Sequence, residues 1–221
     1  MPLWSKICGL LIVLALGAAG TTYWLKSRLT QHEFTAVTGP QQFILGNDVL
    51  DVPLNMTRFA SQRTKTVLNQ LDLVMYWEDG SGFSEANQKA FLRPNRTPDL
   101  IFMTLTERKL HQDMDDRLVP IYSKLLSGKP RSGPAGLVLR PFRAGSGYDG
   151  EELAVSDAAQ MRWVARCQKH ENSQFPTCMR DLFVGNGLSL TYRFSRSLLP
   201  QWQVIENRVQ EAMKTLVITG R

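Results

Sequence analysis

Signatures of catalysis are scarce in this chain of 221 residues. It has three histidines, His32, His111 and His170, and no serine stands in a Gly-x-Ser-x-Gly elbow, so a hydrolase nucleophile and its base have little to build on. Ser81, between Gly80 and Gly82, and Ser146, between Gly145 and Gly147, read as turn chemistry. No Gly-Lys-Ser or Gly-Lys-Thr follows a glycine-rich loop, which excludes a Walker phosphate cradle. Cysteine is as rare: there are three, and Cys167, His170 and Cys178 match no zinc-finger spacing. Internal repeats and low-complexity tracts are also missing, and no acidic residue precedes Glu33.

What the N-terminus does contain is an uncharged run over residues 7–25, flanked by Lys6 on one side and by Lys26 and Arg28 on the other. As a helix rising 1.5 Å per residue it would cover about 28 Å, close to the roughly 30 Å of bilayer hydrocarbon. Trp4 precedes the run and Tyr23 and Trp24 close it, one aromatic cluster for each membrane interface. The rival is a cleavable signal peptide, with small residues Ala18, Ala19 and Gly20 as the cleavage site. The apolar region is longer than such peptides use, which favours an uncleaved anchor over residues 1–26. Ala15 and Ala19 form a small-xxx-small pair of the kind that packs helices, and so leave a homo-oligomer open.

Positive charge is nearly balanced across the run and does not orient it. The cysteines do more. Cys167 and Cys178 each adjoin a strand-like segment and are separated by ten residues, the arrangement of a disulfide closing a hairpin loop in an oxidising compartment. With a short leader and a long trailing domain, the expectation is an inner-membrane, single-pass protein with its C-terminal domain on the periplasmic or extracellular side. The net charge of +6 belongs partly to the flanks of the run. Beyond Lys6, Lys26 and Arg28, 23 basic side chains face 20 acidic ones, no footprint for nucleic acid.

Residues 27–42 are polar, with Gly39-Pro40 near the end, and read as a linker; residues 43–221 suit one extracytoplasmic domain. Phe43-Ile44-Leu45, the turn formers Gly46-Asn47-Asp48, and Val49 to Val52 predict a hairpin that Pro53 ends. Leu71, Leu73, Met75 and Trp77 alternate with Asp72, Val74 and Tyr76, a strand with one strongly apolar face. Ser84 caps a short helix reaching Phe91 and stopped by Pro94, and another strand covers residues 100–105. Met114, Leu118, Ile121 and Leu125 fall at helical spacing and predict a helix between Leu110 and Leu126, with Asp115 and Asp116 near its start. Residues 137–139 continue as a strand, and 143–152 form a loop.

Three alternating stretches follow, through Met161, Trp163, Ala165 and Cys167, then residues 179–184, then Leu188, Leu190, Tyr192 and Phe194 after the Gly185-Asn186-Gly187 turn. They predict a three-stranded meander. Leu198, Trp202, Ile205, Val209, Ala212 and Leu216 then make the apolar stripe of a long helix whose other faces carry Glu206, Arg208, Glu211 and Lys214. The fold class expected is α+β: a mainly antiparallel sheet with this amphipathic helix packed on it.

Two clusters invite chemistry. Glu107, His111, Asp113, Asp115 and Asp116 are the dense set of metal-ligand types, yet one helical turn seldom supplies converging ligands, so they read as a solvated helix start and no metal or cofactor is expected. If the meander buries Trp163 and Tyr192, Arg162, Arg166 and Arg193 point to the opposite face as an anion-attracting strip.

The hairpin region 43–56, the Cys167 to Cys178 loop and the run Tyr192-Arg193-Phe194-Ser195 leading into the Trp202 helix resemble uncharacterised single-pass envelope proteins of alphaproteobacteria. The resemblance implies an inner-membrane anchor with a periplasmic domain and carries no catalytic residue across. The function expected is a membrane-anchored, non-catalytic binding or scaffold protein of the cell envelope, with the lipid bilayer and an envelope protein as partners. The alternatives are a membrane-proximal hydrolase and a domain that holds a small lipid or anion between sheet and final helix.

Overall fold

A computed structural model describes residues 34–92, 99–156 and 162–219. The expected membrane run with Trp4, Tyr23 and Trp24 lies outside them, as do Pro94 and Met161. Among the described residues, no helix is long and apolar enough to cross a membrane.

The chain opens with the expected hairpin, β1 (Pro40–Leu45) and β2 (Asp48–Pro53), paired antiparallel about Gly46. Both of its outer edges are covered. Ile44 exchanges hydrogen bonds with Thr66 and Leu68, while Ile218 donates to Val49 at 3.0 Å and Leu50 bridges Val217. The hairpin therefore ties residues 66–68 to the C-terminus. β1 begins three residues before Phe43, and Phe34, ahead of it, packs within 5.0 Å of Phe91 and 5.8 Å of Phe83 between ring centres.

The remaining strands are β3 (Gln70–Tyr76), β4 (Leu100–Glu107), β5 (Arg131–Ser132), β6 (Leu137–Pro141), β7 (Glu151–Ser156), β8 (Val164–Gln168), β9 (Thr177–Val184) and β10 (Leu188–Ser195). They form one sheet in the order β3-β4-β10-β9-β8-β7-β6-β5, with every neighbouring pair antiparallel. Helices α1 (Gln88–Leu92), α2 (Ser123–Leu125) and α3 (Trp202–Leu216) complete the fold. The inner face of the sheet packs against α3 and the hairpin. Leu71, Leu73 and Met75 of β3, Met103 and Leu105 of β4, and Leu190, Tyr192 and Phe194 of β10 meet Trp202, Ile205, Val209 and Met213 there. The α+β sheet-and-helix arrangement is as expected, because strict alternation leaves β10 one apolar face and α3 one apolar stripe.

Among the described residues, the outer face is covered at its two ends. Val74 and Leu100 lie under Ala90 and Phe91, and Leu153 and Val164 lie under Met114 and Tyr122. This explains why β3 is buried on both faces and not on one, as its alternation had suggested.

Three expectations need correction. The helix between Leu110 and Leu126 is reduced to a wide turn over Leu118–Tyr122 running into α2. Asp113 instead closes a turn by accepting from the Asp116 amide at 3.1 Å, the competition that aspartate side chains offer a helix. As a result Tyr122 is buried and Ile121 is 38% exposed, the reverse of the helical pattern. The loop given to residues 143–152 ends earlier, since Glu151 and Glu152 already belong to β7. Glu206, assigned to a polar face of the last helix, is 1% exposed.

Candidate functional site

Glu206 is buried because the sheet supplies a full set of donors for it. Its Oε2 accepts from the Tyr192 hydroxyl at 2.6 Å, from Trp163 Nε1 at 2.9 Å and from Arg180 Nε at 3.1 Å. Its Oε1 accepts from Gln210 at 2.7 Å, one helical turn on. Arg180 then uses both terminal nitrogens on Asp115, at 2.6 and 2.8 Å. Burial opposes the charge on Arg180, but the hydrogen bonds to Asp115 and the field of Glu206 outweigh it and hold its pKa above the ordinary value. Burial, with the Glu206 field added, pushes the Tyr192 phenol well above its own.

The location of Arg180 follows from a gap in the sheet. β8 and β9 pair at two positions, Arg166 with Met179 and Cys167 with Cys178. Continuing that register would set Ala165 opposite Arg180, but the Val164 carbonyl accepts from Arg180 Nη1 at 3.0 Å instead. A side chain thus satisfies a backbone group that the ladder leaves open. Through this gap Arg180 joins α3 on the inner face to the turn around Asp115 on the outer one. The closed end of the same ladder is crosslinked: Cys167 and Cys178 are disulfide-bonded and fully buried. A second buried carboxylate, Glu152, is held by Arg131 and Arg196.

These groups are architectural. Between sheet and α3, where a small ligand was an alternative, lie Trp163 and Trp202, their ring centres 4.9 Å apart and planes tilted by 35°, and the ion network. Asp115, expected in a solvated helix start, is taken by Arg180, while His111 and His170 are exposed.

The outer face is different in kind. Cross-strand register places Phe102, Arg193, Met179 and Arg166 in one row across β4, β10, β9 and β8. The next row holds Thr104, Thr191 and Asp181, and the one after it Thr106, Ser189 and Phe183. Arginines stack on its rings: Arg58 lies 4.8 Å over Phe102 and Arg108 lies 4.7 Å over Phe183. Carboxylates on this floor already have partners. Asp181 pairs with Arg117, and Asp72 accepts from Gln62, Gln70 and Thr104. Burial raises the Asp181 pKa, with Arg117 opposing that shift.

Of the three arginines expected to form a strip, the structure brings two into one row. Arg193 is exposed, and Arg166 lies 3.6 Å from Glu151 with its guanidinium over Tyr148. Arg162 departs from the row; it precedes β8 and donates to the Asp115 carbonyl at 2.6 Å. Arg58 and Arg108 do not stand out in the sequence, because the floor rings they lie over, Phe102 and Phe183, are at least 44 residues away, although Arg58 also lies over its neighbour Phe59.

No protein-family model and no curated protein sequence matches the chain. Two solved structures are similar to it. One is Smlt3025, an immunity protein of the Stenotrophomonas maltophilia type IV secretion system, at 14% identity and a TM-score of 0.54, covering 81% of this chain and 94% of that one. The other is the Neisseria meningitidis iron-regulated outer membrane lipoprotein FrpD, at 10% identity and a TM-score of 0.42, covering 83% and 96%. The first of these shows a shared fold over most of both chains.

Proposed function

We propose that this chain is a non-catalytic binding protein of the cell envelope, held in the inner membrane by residues 7–25 with its domain outside the cytoplasm. The observation that carries the reading is the division of polar groups between the two faces of the sheet. Glu206, Asp115, Arg180 and Glu152 are saturated by the protein's own partners and serve the fold. The open floor on the other side presents arginine, aromatic and methionine side chains, the types enriched where proteins recognise one another. The Cys167–Cys178 disulfide supports an oxidising compartment. The shared fold with an immunity protein of a secretion system supports binding over catalysis.

The test uses full-length protein in its own membranes. A binding protein retains function when His111 and His170 are both changed to alanine, and it is crosslinked to an envelope protein in intact cells. Loss of function in that folded double variant, with no crosslinked protein, would replace this reading with the membrane-proximal hydrolase.

A further inference from the structure

We infer that the open floor of the outer face, between the covers at its two ends, docks an acidic segment of a protein partner. This rests on the binding reading above and adds the face and the chemistry.

The floor has defined limits. Its central row runs from Phe102 on β4 to Arg166 on β8, and the same row passes at either end beneath a cover, to Val74 under Phe91 and to Leu153 under Tyr122. Four strands at about 4.8 Å spacing leave a floor roughly 15 Å across, wide enough for one helix of about 10–12 Å diameter or a pair of extended segments.

Charge then selects the occupant. Among the described residues, Arg58, Arg108 and Arg193 form no ion pair with any carboxylate, whereas the carboxylates on the floor are engaged. Three guanidinium groups therefore outnumber the one carboxylate there without a cationic partner, Asp72, which Gln62, Gln70 and Thr104 hold. Arg58 and Arg108 each keep the guanidinium carbon within 4.8 Å of a ring centre, which limits the side-chain entropy lost when a carboxylate docks. Beneath and beside them lie the half-buried Phe102, Met179 and Phe183, which a free phosphate or a headgroup would leave without an apolar partner. A segment carrying carboxylates beside apolar side chains covers both kinds of group.

The experiment places a photo-crosslinking amino acid at Thr191, mid-floor, and in a second variant at Val204, exposed on α3 across the sheet, both in the full chain in intact cells. The expected result is a protein adduct from Thr191 whose crosslinked peptide is rich in Asp and Glu. Adding Arg58→Glu and Arg193→Glu should lower its yield at least about ten-fold, while the variant chain keeps its disulfide and its abundance. An adduct with lipid alone, or with a peptide lacking acidic residues, overturns the inference. Protein adducts from Val204 alone also overturn it but leave the binding reading standing. No protein adduct at either position sinks both.

Discussion

Arg180 and Glu206 meet at 3.1 Å between β9 and α3, 26 residues apart in the chain and each almost sealed from water. Neither group would be tolerated there alone, because a buried charge without its partner retains the full cost of leaving water. The pair and its neighbours hold the final helix, the sheet and the turn around Asp115 to one another.

Glu206→Ala is expected to destabilise the domain by about 3–5 kcal/mol, since it removes the acceptor of the Tyr192 hydroxyl, one of the two acceptors of Trp163 Nε1 and the buried countercharge beside Arg180 Nε. Glu206→Gln keeps the shape and one acceptor oxygen, so its loss should be smaller. Urea unfolding followed by tryptophan fluorescence ranks the two, with Trp163 and Trp202 packed beside the network as reporters. Equal stability of Glu206→Ala and the parent would remove this network from the account of the fold.

The disulfide makes a separate prediction. Crosslinking across a separation of 11 residues should stabilise the domain by about 3 kcal/mol in the chain-entropy model. The Cys167→Ser, Cys178→Ser double variant should lose about that much. Because both sulfurs are buried, thiol labelling has to be done after denaturation, with and without prior reduction. Labelling at these two positions only after reduction shows the bond in cells; labelling without reductant argues for a reducing compartment.

Alkaline pH should act through Tyr192. Its folded pKa lies well above the unfolded value of about 10, so the native state keeps this proton longer. The associated stability is complete below the unfolded value and is lost as pH rises past it toward the folded one. Tyr192→Phe should therefore show a shallower fall in unfolding midpoint above about pH 10, although it starts lower by the missing hydrogen bond to Glu206. Parallel declines for the two proteins would refute this linkage.

The turn from β9 to β10 tests a close approach. Asp48 accepts from the amides of Asn186 at 3.0 Å and Gly187 at 2.8 Å, and a Cβ on Gly185 would lie 2.7 Å from Asp48 Oδ1 at a φ of +58°. Gly185→Ala should cost more than about 1 kcal/mol, combining the left-handed backbone with that clash. Asp48→Ala should cost about 1–3 kcal/mol by leaving two turn amides unpaired. Unchanged melting temperatures for both would show that the turn does not need this contact.

Much of the fold is legible because it is local. Apolar alternation in β10, the stripe of α3 and the Gly46 hairpin each follow from residues a few positions apart, and the Cys167 to Cys178 spacing suits a loop between paired strands. The central network left a weaker trace. Trp202, Glu206, Val209 and Met213 recur at helical spacing with a carboxylate at one core position, and Cys178, Arg180 and Leu182 alternate with a guanidinium at another. Each reads alone as a blemish in an apolar pattern; together they are complementary charges.

The sequence by itself determined the first hairpin, the strand character of β3, β4, β9 and β10 and the apolar stripe of the final helix, since those properties depend on side-chain period along the chain. It did not determine β7, the turn around Tyr122 or the burial of Glu206. Only the tertiary structure decided that β10 inserts between β4 and β9, that Arg180 fills the gap beside β8, and that Arg58, Arg108 and Arg193 share one open floor. Those are contacts between distant residues, chosen by which surfaces can cover one another and which charges can be paired on burial, and no local periodicity encodes them.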